Sequence, residues 1–485
     1  MYKKDDGQIT ISEFISPFGK LSKNNRLVKI ADTIPWHKFE DKYAMQFSEN
    51  NGNPAIPFRM AMGTLIIKQI VGHSDDDVLL DITENPYMQY LIGLHEYVEE
   101  APFSQSSISD FRKCISAEMM KEINDTIFGS KNTKDSDDEP PDGGGGGTES
   151  AETSEELEKN KGIMLLDATC APANIAYPTD VNLLNEAREK LEGMIDALHP
   201  QGYNGLKPRT YRQKARKDYL NFVKQRKPRK KAVRKAVGQQ LRYVRRNIGH
   251  VDRMIEKFGM RNLSRKQREW LLTIRTLYQQ QKQMYDTKTH SVENRIVSIG
   301  QPHVRPIVRG KVKSAVEFGA KVSVHMIEGY AFIDKIGWDA YNEEALLIPA
   351  IEEYKERYGH YPEAVLVDKI YRNRNNRRFC KKHGIRISGP RLGRPPKETD
   401  KAAIRQERVD ASGRNAIEGK FGEGKTGYGL GRIMACLKSS SETVISMAIF
   451  CMNIRRRLRD LLRRFLQTFF SALFMAGSYD LEVAG

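Results

Sequence analysis

Glu363-Ala-Val-Leu-Val-Asp368 (EAVLVD) is the stretch on which the fold turns. A short, unbroken apolar run bounded by polar residues reads as a strand buried on both faces. It delivers a carboxylate at its carboxyl end. Residues 341–357 before it read as a helix. After it, another helical stretch leads to a third strand near 384–388 (GIRIS). Further upstream, Gly162-Ile-Met-Leu-Leu-Asp167 has the same form, and 320–326 (AKVSVHM) and 330–336 (YAFIDKI) flank Ile-Glu-Gly as a predicted hairpin. Strand–helix–strand alternation places the chain in the α/β class.

In open α/β sheets ligands collect at the carboxyl edge of the strands. If MLLD167 and VLVD368 lie on neighbouring strands, Asp167 and Asp368 face one another. Two close carboxylates repel unless a cation lies between them. Mg²⁺ suits oxygen ligands and keeps positions open for water and phosphate oxygens. Two such ions about 4 Å apart activate an attacking oxygen and stabilise a leaving one. The plainer reading of each aspartate alone is a cap on the next turn.

Residues 414–427 (RNAIEGKFGEGKTG) bring a third acid and an ambiguity. Gly419 to Thr426 fits G-x-x-x-x-G-K-[ST], the phosphate-cradling loop of nucleotide hydrolases. Such a loop should follow a buried strand, whereas 406–417 is rich in charge with no apolar run. Taken instead as a helix over 410–425, starting at Asp410 or Ser412, the segment puts Arg414, Glu418 and Lys425 within about 40° of one another. One face then carries a metal-ligand carboxylate and two phosphate-binding cations. Gly419, Gly422 and Gly424 weigh against that helix, and an ordinary surface Arg–Glu pair is the plain alternative. The reading adopted is the helix, with no nucleotide cofactor.

The 485 residues carry 79 Lys+Arg against 62 Asp+Glu, a net charge of +17. Residues 1–130 sum to about −6, 131–160 to about −7 and 161–485 to about +30. A polyanionic partner is indicated, gripped by the C-terminal two thirds. Five cysteines without C-x-x-C spacing point away from a disulfide framework and towards a reducing cytoplasm. The start has no apolar signal region. Residues 465–476 are too short an apolar patch to span a bilayer, so no membrane partner is expected.

Four segments follow. Residues 1–130 read as an N-terminal helical domain for DNA binding or self-association, with Ser74 as an N-cap before three aspartates. Residues 131–160, with five consecutive glycines and acidic flanks, read as a disordered linker. Residues 161–455 form the catalytic domain, interrupted at about 181–290 by a helical insertion, and 456–485 a C-terminal helical tail. From Lys207 to Arg246 the insertion holds 17 Lys+Arg and one acid, Asp218, with Tyr203, Tyr211, Tyr219, Phe222 and Tyr243 interleaved. Phosphate contact by Arg212, Lys214, Arg216, Arg229, Lys230 and Lys231, with aromatics covering sugars or bases, is the functional reading. A solvated face is the plain one.

The ordered blocks DATCAPANIAYPTD (167–180), VDKIYRNRNNRRFC (367–380), LGRPP (392–396) and the Arg414, Glu418, Lys425 spacing resemble the DDE transposases of bacterial insertion sequences. Ala411 stands where that family's glutamate signature has Tyr. The resemblance implies a ribonuclease-H-like catalytic domain with Asp167, Asp368 and Glu418 as catalytic metal ligands. It implies two Mg²⁺ ions, for which Mn²⁺ can stand in. Arg414, Lys425 and Tyr371 would hold DNA phosphates. It further implies double-stranded DNA partners (terminal inverted repeats and target), a homo-oligomer of two or more copies, and a bacterial, nucleoid-associated protein. The expected function is cutting of element ends and their joining to target DNA. The alternatives are a non-catalytic DNA-binding repressor and a nuclease of the same fold without strand transfer.

Overall fold

The computed structural model describes residues 21–48, 54–129, 160–200, 205–308, 316–389 and 401–482. The acidic, glycine-rich stretch expected as a linker, its last residue apart, lies outside the described residues, as does Tyr203.

Among the described residues, seven helices come first: α1 (Arg26–Thr33), α2 (His37–Ala44), α3 (Phe58–Val71), α4 (Asp75–Glu84), α5 (Pro86–Leu91), α6 (Gln105–Cys114) and α7 (Ala117–Phe128). α3 is apolar nearly all round, so it is the central helix of this group, with Phe58 and every residue from Ala61 to Ile67 buried. Ser74 caps α4 as expected, its hydroxyl accepting from the Asp77 amide at 3.1 Å.

The sheet has six strands: β1 (Ile163–Pro172), β2 (Arg305–Val308), β3 (Val316–Ile327), β4 (Tyr330–Gly337), β5 (Ala364–Val367) and β6 (Arg386–Ile387). The order is β2-β3-β1-β5-β6, and β4 also pairs with β3. The expected hairpin is β3–β4. Its two-residue turn is Glu328-Gly329, with φ of +52° and +86°, the left-handed pair that matches strand twist. β3 and β1 are antiparallel, whereas β5 runs parallel to both β1 and β6. The fold is thus mixed α/β, as the alternation predicted.

Between β1 and β2 four helices, α8 (Asp180–Leu198), α9 (Arg212–Val223), α10 (Lys230–Phe258) and α11 (Arg265–Thr287), form the insertion. It has its own apolar cluster, including Leu184, Leu191, Leu241, Val244, Ile274 and Leu277. α12 (Leu347–Tyr358) and α13 (Arg374–Lys382) flank the sheet, followed by α14 (Lys401–Gly427) and α15 (Lys438–Glu482). No described helix is long and apolar enough to cross a membrane.

Residue 455/456 falls inside the single helix α15. The N-terminal helices and the sheet also share one continuous apolar core, since the buried half of α15 packs against both.

A buried polar pin crosses that junction. Ala331 lies on the free edge of β4, so its backbone groups find no strand partner there. Asn453 of α15 supplies them: its Oδ1 accepts from the Ala331 amide at 2.9 Å and its Nδ2 donates to the Ala331 carbonyl at 2.7 Å. The same Nδ2 donates to Asn124 Oδ1 of α7 at 2.9 Å. Asn453→Ala strands several buried groups at once and is expected to destabilise the fold by about 3 kcal/mol. Urea melts of the two proteins measure this.

Candidate active site

The parallel register of β1 and β5 ends with Leu166 beside Val367. The next residue on each strand is an aspartate: Asp368 directly follows the end of β5, whereas Asp167 lies within β1, which runs on to Pro172 rather than ending there as expected, and the two stand side by side on adjacent strands. Val365, Leu366 and Val367 are all buried, which fixes the strand from which Asp368 emerges.

The two carboxylates differ in setting. Asp167 is mostly buried. Its Oδ1 accepts from the Ala168 amide at 2.8 Å. Burial is the main force pushing its carboxyl up to about 6; the nearby charges of Glu343 and Asp368 add to it, and Arg414 opposes it. Asp368 is more open, with its side chain 54% exposed. It caps the 3₁₀ turn Lys369–Tyr371, accepting from the Lys369 amide at 2.6 Å.

α14 packs over β1 and β5. Asp410, Ile417, Lys420, Phe421 and Gly424 form its buried stripe. Arg386 of β6 pairs with Asp410, and Arg414 Nη1 lies 3.5 Å from Asp368 Oδ1. Glu418 follows one turn later and is exposed. One unbroken helix therefore carries Arg414, Glu418 and Lys425 past the strands that carry the two aspartates. It starts at Lys401 rather than near Asp410, and its glycines do not end it before Gly427. Gly419 to Thr426 are helical interior, so their amides serve the helix and form no phosphate-cradling loop.

Tyr371, expected at a DNA phosphate, has a fully buried ring, and its hydroxyl donates to Glu343 Oε2 at 3.2 Å. Burial first, then the Glu343 charge, holds its hydroxyl proton well above the ordinary range. Glu343 was not singled out in the sequence, where it falls within a stretch read simply as helix. It sits in the 3₁₀ turn Glu343–Leu346 and also meets Lys321 Nζ at 2.5 Å.

In the insertion, Lys214, Arg216, Arg229, Lys230 and Lys231 are exposed. Arg212, its side chain 46% exposed, makes a two-pronged pair with Asp196, at 2.8 and 3.0 Å. The interleaved aromatics are mostly structural. Tyr219 donates to Asn182, Tyr243 is buried and donates to Asp218, and Phe222 packs on the insertion core. Tyr211 is 54% exposed, with the Arg246 guanidinium 5.0 Å from its ring centre.

A second polar cluster, His325, Asp334 and Glu353, has its ligand-type atoms within 4.8 Å of one another. His325 Nδ1 and Asp334 Oδ1 lie 2.6 Å apart. Glu353 is already paired with Arg357 at 2.7 Å and faces Lys121 at 3.8 Å. Those two cations hold the carboxylate a metal would need, and the cluster reads as an ionic junction between α7, the hairpin and α12.

Residues 365–455 match a family model described as Transposase DDE domain, and residues 16–114 match one described as Transposase domain (DUF772). The first span contains Asp368, Arg414, Glu418 and Lys425; Asp167 lies outside it. A curated relative, an uncharacterized protein ORF8 in the nfe locus of Rhizobium meliloti, is 28% identical over 172 residues, which are 35% of this chain and 73% of that protein. No solved structure matches significantly. Paired aspartates on neighbouring strands, with the third acid on the helix packed over them, accord with the two family matches, which together span less than half of the chain and support a DDE transposase of the insertion-sequence type.

Proposed function

We propose that this transposase cuts DNA at the terminal inverted repeats of its element and joins the freed ends to target DNA by metal-dependent phosphoryl transfer. The observation that carries this reading is the β1–β5 register, which sets Asp167 beside Asp368 under the helix bearing Glu418. The ribonuclease-H-like class is part of the same proposal. It is supported by an antiparallel trio β4-β3-β1 continued by the parallel strands β5 and β6.

The donor set fits a hard divalent cation. Asp167 and Asp368 offer only oxygen, and burial with neighbouring carboxylates keeps Asp167 from ionising easily by itself. Asp167, Asp368 and Glu418 would hold Mg²⁺, with Mn²⁺ as a substitute. When bound, the ions lower the charge cost of attack at phosphorus and of the leaving oxygen. The chain's own groups orient the rest. Arg414, held 3.5 Å from Asp368, presents a guanidinium that can share a phosphate with the site. Lys425, two residues before the end of the same helix, lies two turns beyond Glu418 on the DNA side of this reading. Most of the rate gain comes from positioning and charge stabilisation.

The test uses supercoiled plasmid carrying element ends, with magnesium. Nicks at the terminal repeats and joined products in a target plasmid are expected. Nicks without joined products would reduce the reading to a nuclease, and neither product would remove it.

The exposed cations of the insertion fit a role in gripping the phosphate backbone. Arg229→Ala, Lys230→Ala and Lys231→Ala combined are expected to lower the slope of log affinity against log salt by about 2–3, similarly for element-end and unrelated DNA. Fluorescence anisotropy across a salt series reads both.

A further inference from the structure

β1 lies between β3 and β5 in the sheet. Glu343 spans the two flanking strands. Its Oε1 meets Lys321 Nζ of β3 at 2.5 Å, and its Oε2 accepts the Tyr371 hydroxyl at 3.2 Å in the turn just after β5. Lys321 is held in turn by the Tyr341 carbonyl at 2.9 Å. Asn376 Nδ2 donates to the Glu344 carbonyl at 2.8 Å and to the Tyr371 carbonyl at 2.9 Å, lacing the two 3₁₀ turns together. The second of those turns begins at its cap, Asp368.

We propose that Glu343 is a positioning residue for the metal-holding carboxylates: through Tyr371 and Lys321 it fixes the turn behind Asp368 to the strand on the far side of Asp167. This inference rests on the metal-dependent reading above. An apolar residue would fill this partly buried place without the cost of desolvating a charge. That cost fits a group that sets the geometry of the aspartates and is not needed for packing alone. The buried position of Tyr371 follows from the same tether.

The test is calorimetric titration of Mg²⁺ into the full chain, as wild type, Tyr371→Phe, Glu343→Ala and the double variant. Tyr371→Phe keeps the buried ring and removes only the hydroxyl. Each single change is expected to weaken magnesium binding by about tenfold, the scale found when groups that orient metal ligands are removed. The double variant should bind no more weakly than Glu343→Ala, because both changes break one tether. Nicking should recover as magnesium is raised to saturation. Unchanged binding in Tyr371→Phe overturns the proposal, and so do additive losses. Nicking lost in a folded Glu343→Ala at every magnesium concentration overturns it too, since it would make Glu343 a catalytic residue. If Glu343→Ala fails to fold, Tyr371→Phe decides alone. Wild type that binds no magnesium removes the metal-dependent function itself, before any variant is compared.

Discussion

Asp368→Asn is expected to slow magnesium-dependent nicking of element ends by about a thousandfold, roughly 4 kcal/mol of barrier, while the protein stays folded. The local structure favours a clean result. Asp368 caps the turn that follows β5 through its Oδ1, and asparagine is an equally good cap. The side chain is half exposed, so no core contact is lost. What disappears is one negative charge beside Asp167 and Arg414. DNA affinity should hold or rise, because Arg414 loses the anion that now competes with phosphate. Glu418→Gln, on an exposed position of α14, should behave alike. Nicking by both variants at the wild-type rate would show that these acids do not form the reacting site.

That experiment bears on residues the sequence could display. A strand buried on both faces writes itself as an unbroken apolar run, so MLLD and VLVD marked both strands, but only Asp368 stands at its strand's end, since β1 continues past Asp167 to Pro172. Their adjacency could only be supposed, because pairing depends on residues two hundred positions apart. Helix α14 was harder to read. Its glycines lower helix propensity by up to about 1 kcal/mol each, yet packing overrides them. At Gly424 a β-carbon would come within 2.6 Å of Leu430, so the residue that weakens the helix locally is what lets it lie close to the core. Tyr371 and Glu343 show the opposite limit. The sequence shows that a tyrosine follows the aspartate, but not that its hydroxyl turns inward to an acid 28 residues earlier. The basic insertion was legible as charge, while the roles of Tyr219, Tyr243 and Arg212 depended on which way each side chain faced.

Asp167→Asn should separate stability from activity more sharply than any other change in this chain. Burial lifts the Asp167 carboxyl in the folded protein from its ordinary 3.8 to about 6, with Glu343 and Asp368 adding to the shift. An acid whose folded value lies above its unfolded one opposes folding once it ionises. As pH rises from about 4 through about 6, the unfolded chain gives up this proton first, and the metal-free fold loses stability until the folded form has ionised too. The cost at neutral pH is about 2–3 kcal/mol for a shift of this size. Asparagine removes the charge with little change in shape. The metal-free variant should therefore be about 2–3 kcal/mol more stable than wild type at pH 7.5, and the gain should vanish below about pH 4, where Asp167 is neutral in both states. Magnesium should stabilise wild type by binding its folded form, and stabilise the variant much less. Nicking should be lost. Urea melts in chelator at the two pH values, repeated with magnesium, supply every number needed. A variant equal to or weaker than wild type at pH 7.5 without metal would mean that Asp167 is not held in the costly buried setting that gives it a use for a cation.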